Sequence, residues 1–214
     1  YWDSPYTGDL GSAIEFELQE PQFNWDFYAQ RTNSVRDIAA EINDGRFLVS
    51  YRGHGNRNHW VFPRFHENNL GNLTNNKMRP VIFSFACDTG WFDNETDLDR
   101  DDNALTDTAS NDEGFLEMML RQQNGAIAAI ASSRMPETGP SDRIIWGMMD
   151  AIWPEFIPEY SESDDSDFQL GRILNSGKLY LQNQNFEPTY TSALIQEMSE
   201  LYNLLGDPTM QIWT

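Results

Sequence analysis

Two side chains in this sequence have the chemistry for nucleophilic catalysis together. Cys87 is the single cysteine of the 214 residues, and it follows the apolar run Val81-Ile82-Phe83-Ser84-Phe85-Ala86. His54 stands in Gly53-His54-Gly55, directly after Arg46-Phe47-Leu48-Val49-Ser50-Tyr51. A thiolate is the nucleophilic form of cysteine, and an imidazolium beside it lowers the thiol pKa. The same imidazole can then hand a proton to a leaving amine. The glycines beside His54 let the backbone approach an acyl group, and an amide such as that of Gly55 can donate to a developing oxyanion. Either half alone is weak: a lone cysteine is most often a small buried hydrophobe, and a lone histidine at a strand end is more often structural. A His-Gly after one buried strand and an Ala-Cys after the next form a much more specific pattern. One cysteine also excludes an internal disulfide and any zinc site that needs two or more.

The elements that position this pair are legible as alternating strands and helices. Ser34 is a plausible N-cap for a helix to about Asn43, with Val35, Ile38, Ala39 and Ile42 on one face. Asp44-Gly45 stops it, and the strand ending at Tyr51 follows. Asn56 to Arg64 reads as a polar loop and Glu67 to Leu73 as a short helix. Val81 to Ala86 has the unbroken apolarity of a strand buried on both faces. After a long acidic loop, Gly114 to Gln123 reads as a helix and Ala126 to Ala131 as another buried strand. Ser132 to Asp142 reads as a loop with two prolines, Arg143 to Ile152 as a helix, and Ser161 to Asp167 as a solvated acidic stretch. Helices over Leu170 to Gln182 and Thr191 to Met198 follow, then a strand and turn from Tyr202 to Pro208 and a last strand at Met210 to Trp213. Ile14 to Leu18 alternates with period two, as an exposed strand does. The order is that of an open, mostly parallel α/β sheet with helices on both faces, whose sites lie beyond the carboxyl ends of the strands. Adjacent parallel strands would bring His54 and Cys87 to one rim. No repeat or low-complexity linker marks a second domain, so residues 1–214 read as one.

The net charge of −20 speaks against nucleic acid and against an anionic membrane surface. Lysine is limited to Lys77 and Lys178, against twelve arginines. Hydrophobic residues at 39% and aromatics at 13% are enough for a sizeable core. No stretch approaches the ~20 apolar residues of a membrane span. The sequence opens at Tyr1 without Met or a signal-like segment, so an upstream signal, pro-segment or sub-domain is compatible with it. Between Asp88 and Asp112, Asp97, Asp99 and Asp101 alternate as hard oxygen ligands of calcium do. The glycine of an EF-hand is missing, and calcium and plain solvation both stand open. Asp88 either orients His54 or is solvated. His59 and His66 read as incidental, and Trp146, Met148, Met149 and Trp153, at helical spacing, as core.

Several of these segments resemble the gingipain family of cysteine peptidases. Tyr51-Arg52-Gly53-His54-Gly55 with Trp60 is similar to the family's histidine motif. Phe83-Ser84-Phe85-Ala86-Cys87-Asp88-Thr89-Gly90 with Phe92-Asp93 is similar to its cysteine motif. Gly114 to Leu120, Gly125 to Arg134 and Leu204-Leu205-Gly206-Asp207-Pro208 resemble the helix, strand with pocket loop, and closing motif that follow. The matches keep the family's order from about Arg36 to Trp213, with residues 1–35 weakly matched. The resemblance implies a caspase-like three-layer α/β/α sandwich with a mostly parallel central sheet. It implies Cys87 as nucleophile, His54 as proton donor, protein or peptide substrates, and no cofactor in the chemistry. It also implies a secreted or surface bacterial enzyme, often stabilised by calcium. Trp60, Ser132, Ser133, Arg134 and Glu137 are expected to wall the substrate pocket, and the sign of that pocket is open because Arg134 and Glu137 share the loop. The sequence departs from the family in leaving little room upstream for the sub-domain that usually precedes this unit, and in its longer acidic loop.

Three rivals stand beside an endopeptidase. A transpeptidase that removes C-terminal secretion signals in type IX secretion would share the same motifs. A non-enzymatic relative would not need both His54 and Cys87. A nucleotide-binding α/β protein lacks support, since neither G-x-G-x-x-G nor a P-loop is present.

Overall fold

The computed structural model describes residues 35–93, 113–154, 156–157, 165–183 and 190–212. Helix α1 covers 35–43 and buries Ala39 and Ile42. Strand β1 (Leu48–Arg52) follows, then a small antiparallel sheet of β2 (Gly55–Asn56), β3 (His59–Trp60) and β4 (Phe65–His66). A 3-10 helix (Glu67–Asn72), β5 (Val81–Phe85), α2 (Phe115–Arg121) and β6 (Ala128–Ser132) come next. Helices α3 (Thr138–Ile152), α4 (Leu170–Gln182) and α5 (Ser192–Leu201) lead into β7 (Tyr202–Leu205).

The main sheet has the order β1-β5-β6-β7. β1, β5 and β6 are parallel neighbours, and β7 runs antiparallel to β6. Every residue of β5 and β6 is buried, which is why these strands are apolar without alternation. Their side chains nevertheless go to two faces in turn. Ile82, Ala129 and Ala131 join the core under α1, the small sheet, the 3-10 helix and α2. Val81, Phe83, Phe85, Ala128 and Ile130 join the core under α3, α4 and α5. The result is a three-layer α/β/α sandwich in which full burial of a side chain such as Phe83 contributes about 1.5–3 kcal/mol.

The second core depends on a close helix crossing. A Cβ on Gly147 of α3 would lie 2.4 Å from the Tyr180 Cβ, and one on Gly177 of α4 would lie 2.6 Å from the Ile144 carbonyl oxygen. Only hydrogen at these two positions lets the backbones approach.

Several elements differ from their sequence-based expectations. The segment Asn56 to Arg64 holds the end of β2 and all of β3, short strands whose pairing the polar composition hides. Glu67–Asn72 is 3-10, capped by the His66 ring, which accepts from the Asn68 amide at 3.2 Å and so is not incidental. Helix α3 starts at Thr138, five residues before the expected Arg143. Pro140 is its third residue, where the missing N–H costs no helical bond. Met148 lies in the core, but Trp146 and Trp153 are each 42% exposed and are surface residues. Of the last strand expected at Met210 to Trp213, the described residues hold one bridge, between Gln169 and Gln211, and Trp213 lies outside them. The strand expected at Ile14 to Leu18 and the Ser34 cap lie outside the described residues, as does most of the acidic stretch Ser161 to Asp167.

Candidate active site

The register of β1 against β5 brings the two motifs together. Arg52 pairs with Phe85, so His54 and Cys87 each lie two residues past one paired position, at the carboxyl ends of adjacent parallel strands. Beyond the last pair, the Gly53 amide still donates to the Phe85 carbonyl at 3.3 Å. His54 is exposed and Cys87 half-buried.

The histidine loop is held from below. The Tyr51 hydroxyl donates to the His54 carbonyl at 2.7 Å, and the Val61 amide donates to the same oxygen at 2.9 Å. Burial pushes the Tyr51 phenol up to about 12, so it remains a donor throughout the neutral range. Its ring stacks on Trp60, with centroids 4.5 Å apart. Trp60 is 1% exposed, and its indole N–H donates to the Ser84 hydroxyl at 2.9 Å. This corrects the expectation that Trp60 walls a pocket: as the partner of Gly55 across the small sheet, it faces inward and supports the loop.

Gly55 touches the cysteine turn. A Cβ there would lie 2.8 Å from the Ala86 Cβ, 2.8 Å from the Thr89 methyl and 3.2 Å from the Cys87 carbonyl oxygen. The Gly55 and Cys87 amides both donate toward the Cys87 sulfur and favour its thiolate. They are outweighed, first by burial and then by the Asp88 carboxylate, so the thiol is raised. This corrects the expected lowering of the thiol pKa. Asp88 has φ 58, a left-handed conformation that turns the chain sharply after Cys87.

The loop after β6 is sewn to this turn. The Asp88 amide donates to the Arg134 carbonyl at 3.2 Å, and the Gly90 amide to the Ser132 carbonyl at 2.9 Å. The Ser132 hydroxyl is buried and donates to the Arg134 carbonyl, so it braces the loop. Ser133, also buried, donates its amide to the Leu201 carbonyl. Arg134 forms a two-pronged pair with Asp93 at 3.1 and 2.9 Å. Its guanidinium lies 4.0 Å from the centroid of the Trp91 ring. The expected conflict of sign on this loop is thereby reduced: the Arg134 charge is met by Asp93, and Glu137 remains exposed at the cap of α3. The motifs showed both Arg134 and Asp93 but not their pairing, because the two lie 41 residues apart. A second ion pair, Arg52 with Asp142 at 2.6 Å, ties the end of β1 to α3. Sequence reasoning missed it, because a separation of 90 residues leaves no local signal.

Asp97, Asp99 and Asp101 lie outside the described residues. Among the described residues, no group of three or more His, Cys, Asp or Glu side chains could hold a metal ion, and no helix is long and apolar enough to cross a membrane.

Among solved structures, one described as the Arg specific cysteine proteinase gingipain R (RGPB) superposes with a TM-score of 0.61 and 23% identity. It covers 82% of this chain and 35% of its own. A complex of the pro- and mature domains of RgpB from Porphyromonas gingivalis superposes with a TM-score of 0.61 and 21% identity, over 83% of this chain and 36% of its own. This chain thus spans about a third of the length of the structures it resembles. No curated protein matches it. The sequence matches the profile of peptidase family C25 over residues 11–213, nearly its whole length and both motifs of the rim, and the chain belongs to that family.

Proposed function

We propose that this chain is the catalytic part of a cysteine endopeptidase, with Cys87 as nucleophile and His54 as proton carrier. The observation that carries this reading is the register that puts Cys87 and His54 each two residues past one strand pair, with Gly55 packed against the Cys87 turn. Because burial and Asp88 favour the neutral thiol, His54 acts first as general base. It takes the thiol proton as the sulfur attacks the scissile carbonyl carbon. The tetrahedral oxyanion is met by backbone amides of the turn. Collapse breaks the C–N bond, and His54 returns the proton to the leaving amine. Water then attacks the thioester, His54 takes its proton, and the sulfur leaves with a proton as the acid product departs.

The substrates are proteins or peptides. The family resemblance supports a secreted or surface location in a bacterium. Transpeptidation differs only in the second half, where an amine replaces water. The test is incubation of the full-length protein and its Cys87→Ala and His54→Ala variants with a peptide library, with and without an added amine nucleophile. Cleavage lost in both variants supports the endopeptidase. Ligated products would favour the transpeptidase, and retained cleavage would remove Cys87 from the chemistry. Absence of any cleavage, with iodoacetamide labelling of Cys87 unaffected by His54→Ala, would favour a binding domain.

A further inference from the structure

Beneath the rim runs a buried chain of polar groups that the reaction itself does not use. It rests on the reading of Cys87 and His54 above. The Trp60 indole N–H donates to the Ser84 hydroxyl at 2.9 Å, Ser84 and Thr89 hydroxyls lie 2.8 Å apart, and Thr89 donates to the Ala86 carbonyl at 3.2 Å. Trp60 is 1% exposed, and Ser84 and Thr89 are 0% exposed.

The direction of the chain follows from counting protons. An indole N–H only donates, and a carbonyl only accepts. Thr89 has one hydroxyl proton, and it goes to Ala86. The Ser84 proton must therefore go to Thr89, while Ser84 accepts from Trp60. One relay of hydrogen bonds thus runs from the small sheet, through the middle of β5, to the carbonyl just before Cys87.

Both ends of this relay bear on the site. Trp60 is the cross-strand partner of Gly55, whose amide faces the sulfur. Thr89 also packs its methyl where a Cβ on Gly55 would come within 2.8 Å. Thr89 therefore touches the histidine loop through its methyl and the nucleophile turn through its hydroxyl. A serine inside an otherwise apolar strand would be costly without partners, and here its cost is offset by two bonds that span the two loops.

We propose that Ser84 and Thr89 are positioning residues, whose linked hydroxyls set the separation of the histidine loop from the Cys87 turn and so the placement of the Gly55 amide against the sulfur. They touch no substrate and act through Gly55 and Ala86.

The experiment measures iodoacetamide alkylation of Cys87 near neutral pH in the full-length protein, beside thermal melting, for Thr89→Val, Thr89→Ser and Ser84→Ala. Thr89→Val keeps the shape and removes the hydroxyl. Its alkylation is expected to slow about tenfold, the weight of one buried hydrogen bond. Thr89→Ser, which keeps the hydroxyl, is expected to restore the rate to within about twofold of the parent. A merely structural role would lower the melting temperature of Thr89→Val and leave the folded protein's alkylation rate unchanged, and that result overturns the proposal. Equal slowing in Thr89→Ser also overturns it, by assigning the effect to the methyl. If Thr89→Val does not fold, Ser84→Ala carries the test, with the same slowing expected and an unchanged rate overturning the proposal. His54→Ala separates the two readings. Slowing in Thr89→Val with none in His54→Ala would leave the relay standing and remove the catalytic pair, and the opposite pattern would do the reverse.

Discussion

The two faces of the sheet are built by different means. On the face under α3, α4 and α5, the core is formed by apolar side chains and by two helices pressed together at Gly147 and Gly177. On the face under the small sheet and α2, apolar packing is interleaved with the polar relay through Ser84 and Thr89. The first face is held mainly by shape, although the buried Tyr202 hydroxyl donates to the Ser141 hydroxyl at 3.0 Å. The second threads a chain of directional bonds through its central strand, because a buried polar group without a partner costs about 1–3 kcal/mol. The polar face lies under the rim with His54 and Cys87. The apolar face is tied to that rim through the Arg52–Asp142 pair, whereas the crossing at Gly147 and Gly177 packs helix on helix.

This contrast can be broken most forcefully at the helix crossing. Gly147→Val is expected to cost about 3–5 kcal/mol, since the branched side chain would meet Tyr180 and the Ser176 carbonyl, both backed by packed helix. Thermal melting would show the loss, and folded protein recovered at low temperature should alkylate at the parent rate. A slowed rate would mean that the two faces are coupled. Trp60→Phe, on the other face, removes the N–H that Ser84 accepts and part of a ring packed on Phe65 and Phe115. It is expected to cost about 2 kcal/mol in chemical denaturation and, unlike Gly147→Val, to slow alkylation as well.

Two smaller effects sharpen the picture at the rim. Asp93→Asn takes the charge partner from Arg134, whose side chain is 13% exposed. A loss of about 1 kcal/mol is expected, read as a lower melting temperature that high salt reduces in the parent and not in the variant. Asp88→Asn should leave stability within about 0.5 kcal/mol while moving the chemistry. The Asp88 carboxylate helps to raise the thiol, so removing its charge favours the thiolate and moves the alkylation profile to lower pH. At one near-neutral pH, the variant should therefore alkylate faster than the parent. An unmoved profile would show that burial alone sets the thiol.

Much of the main sheet was legible because its causes are local. Val81 to Ala86, apart from Ser84, and Ala126 to Ala131 are apolar, as a strand covered on both sides requires. The small sheet was not legible. Gly55, Asn56, His59 and Trp60 carry no periodic pattern over two-residue strands, and their pairing becomes visible only when Trp60 sinks into the core. Helix α3 begins before its expected start because Pro140 reads locally as a loop signal, although the first turn of a helix tolerates proline.

For the site, the sequence by itself determined the pair of reactive groups, the strands that end in them and the glycines around His54, since residue type and order carry that chemistry. Tertiary structure alone decided the register that brings Arg52 beside Phe85, the neutralisation of Arg134 by Asp93, the inward turn of Trp60 and the raised thiol of Cys87. Each of these depends on distances between residues far apart in the chain and on how much water is excluded from between them, and neither is written in local spacing.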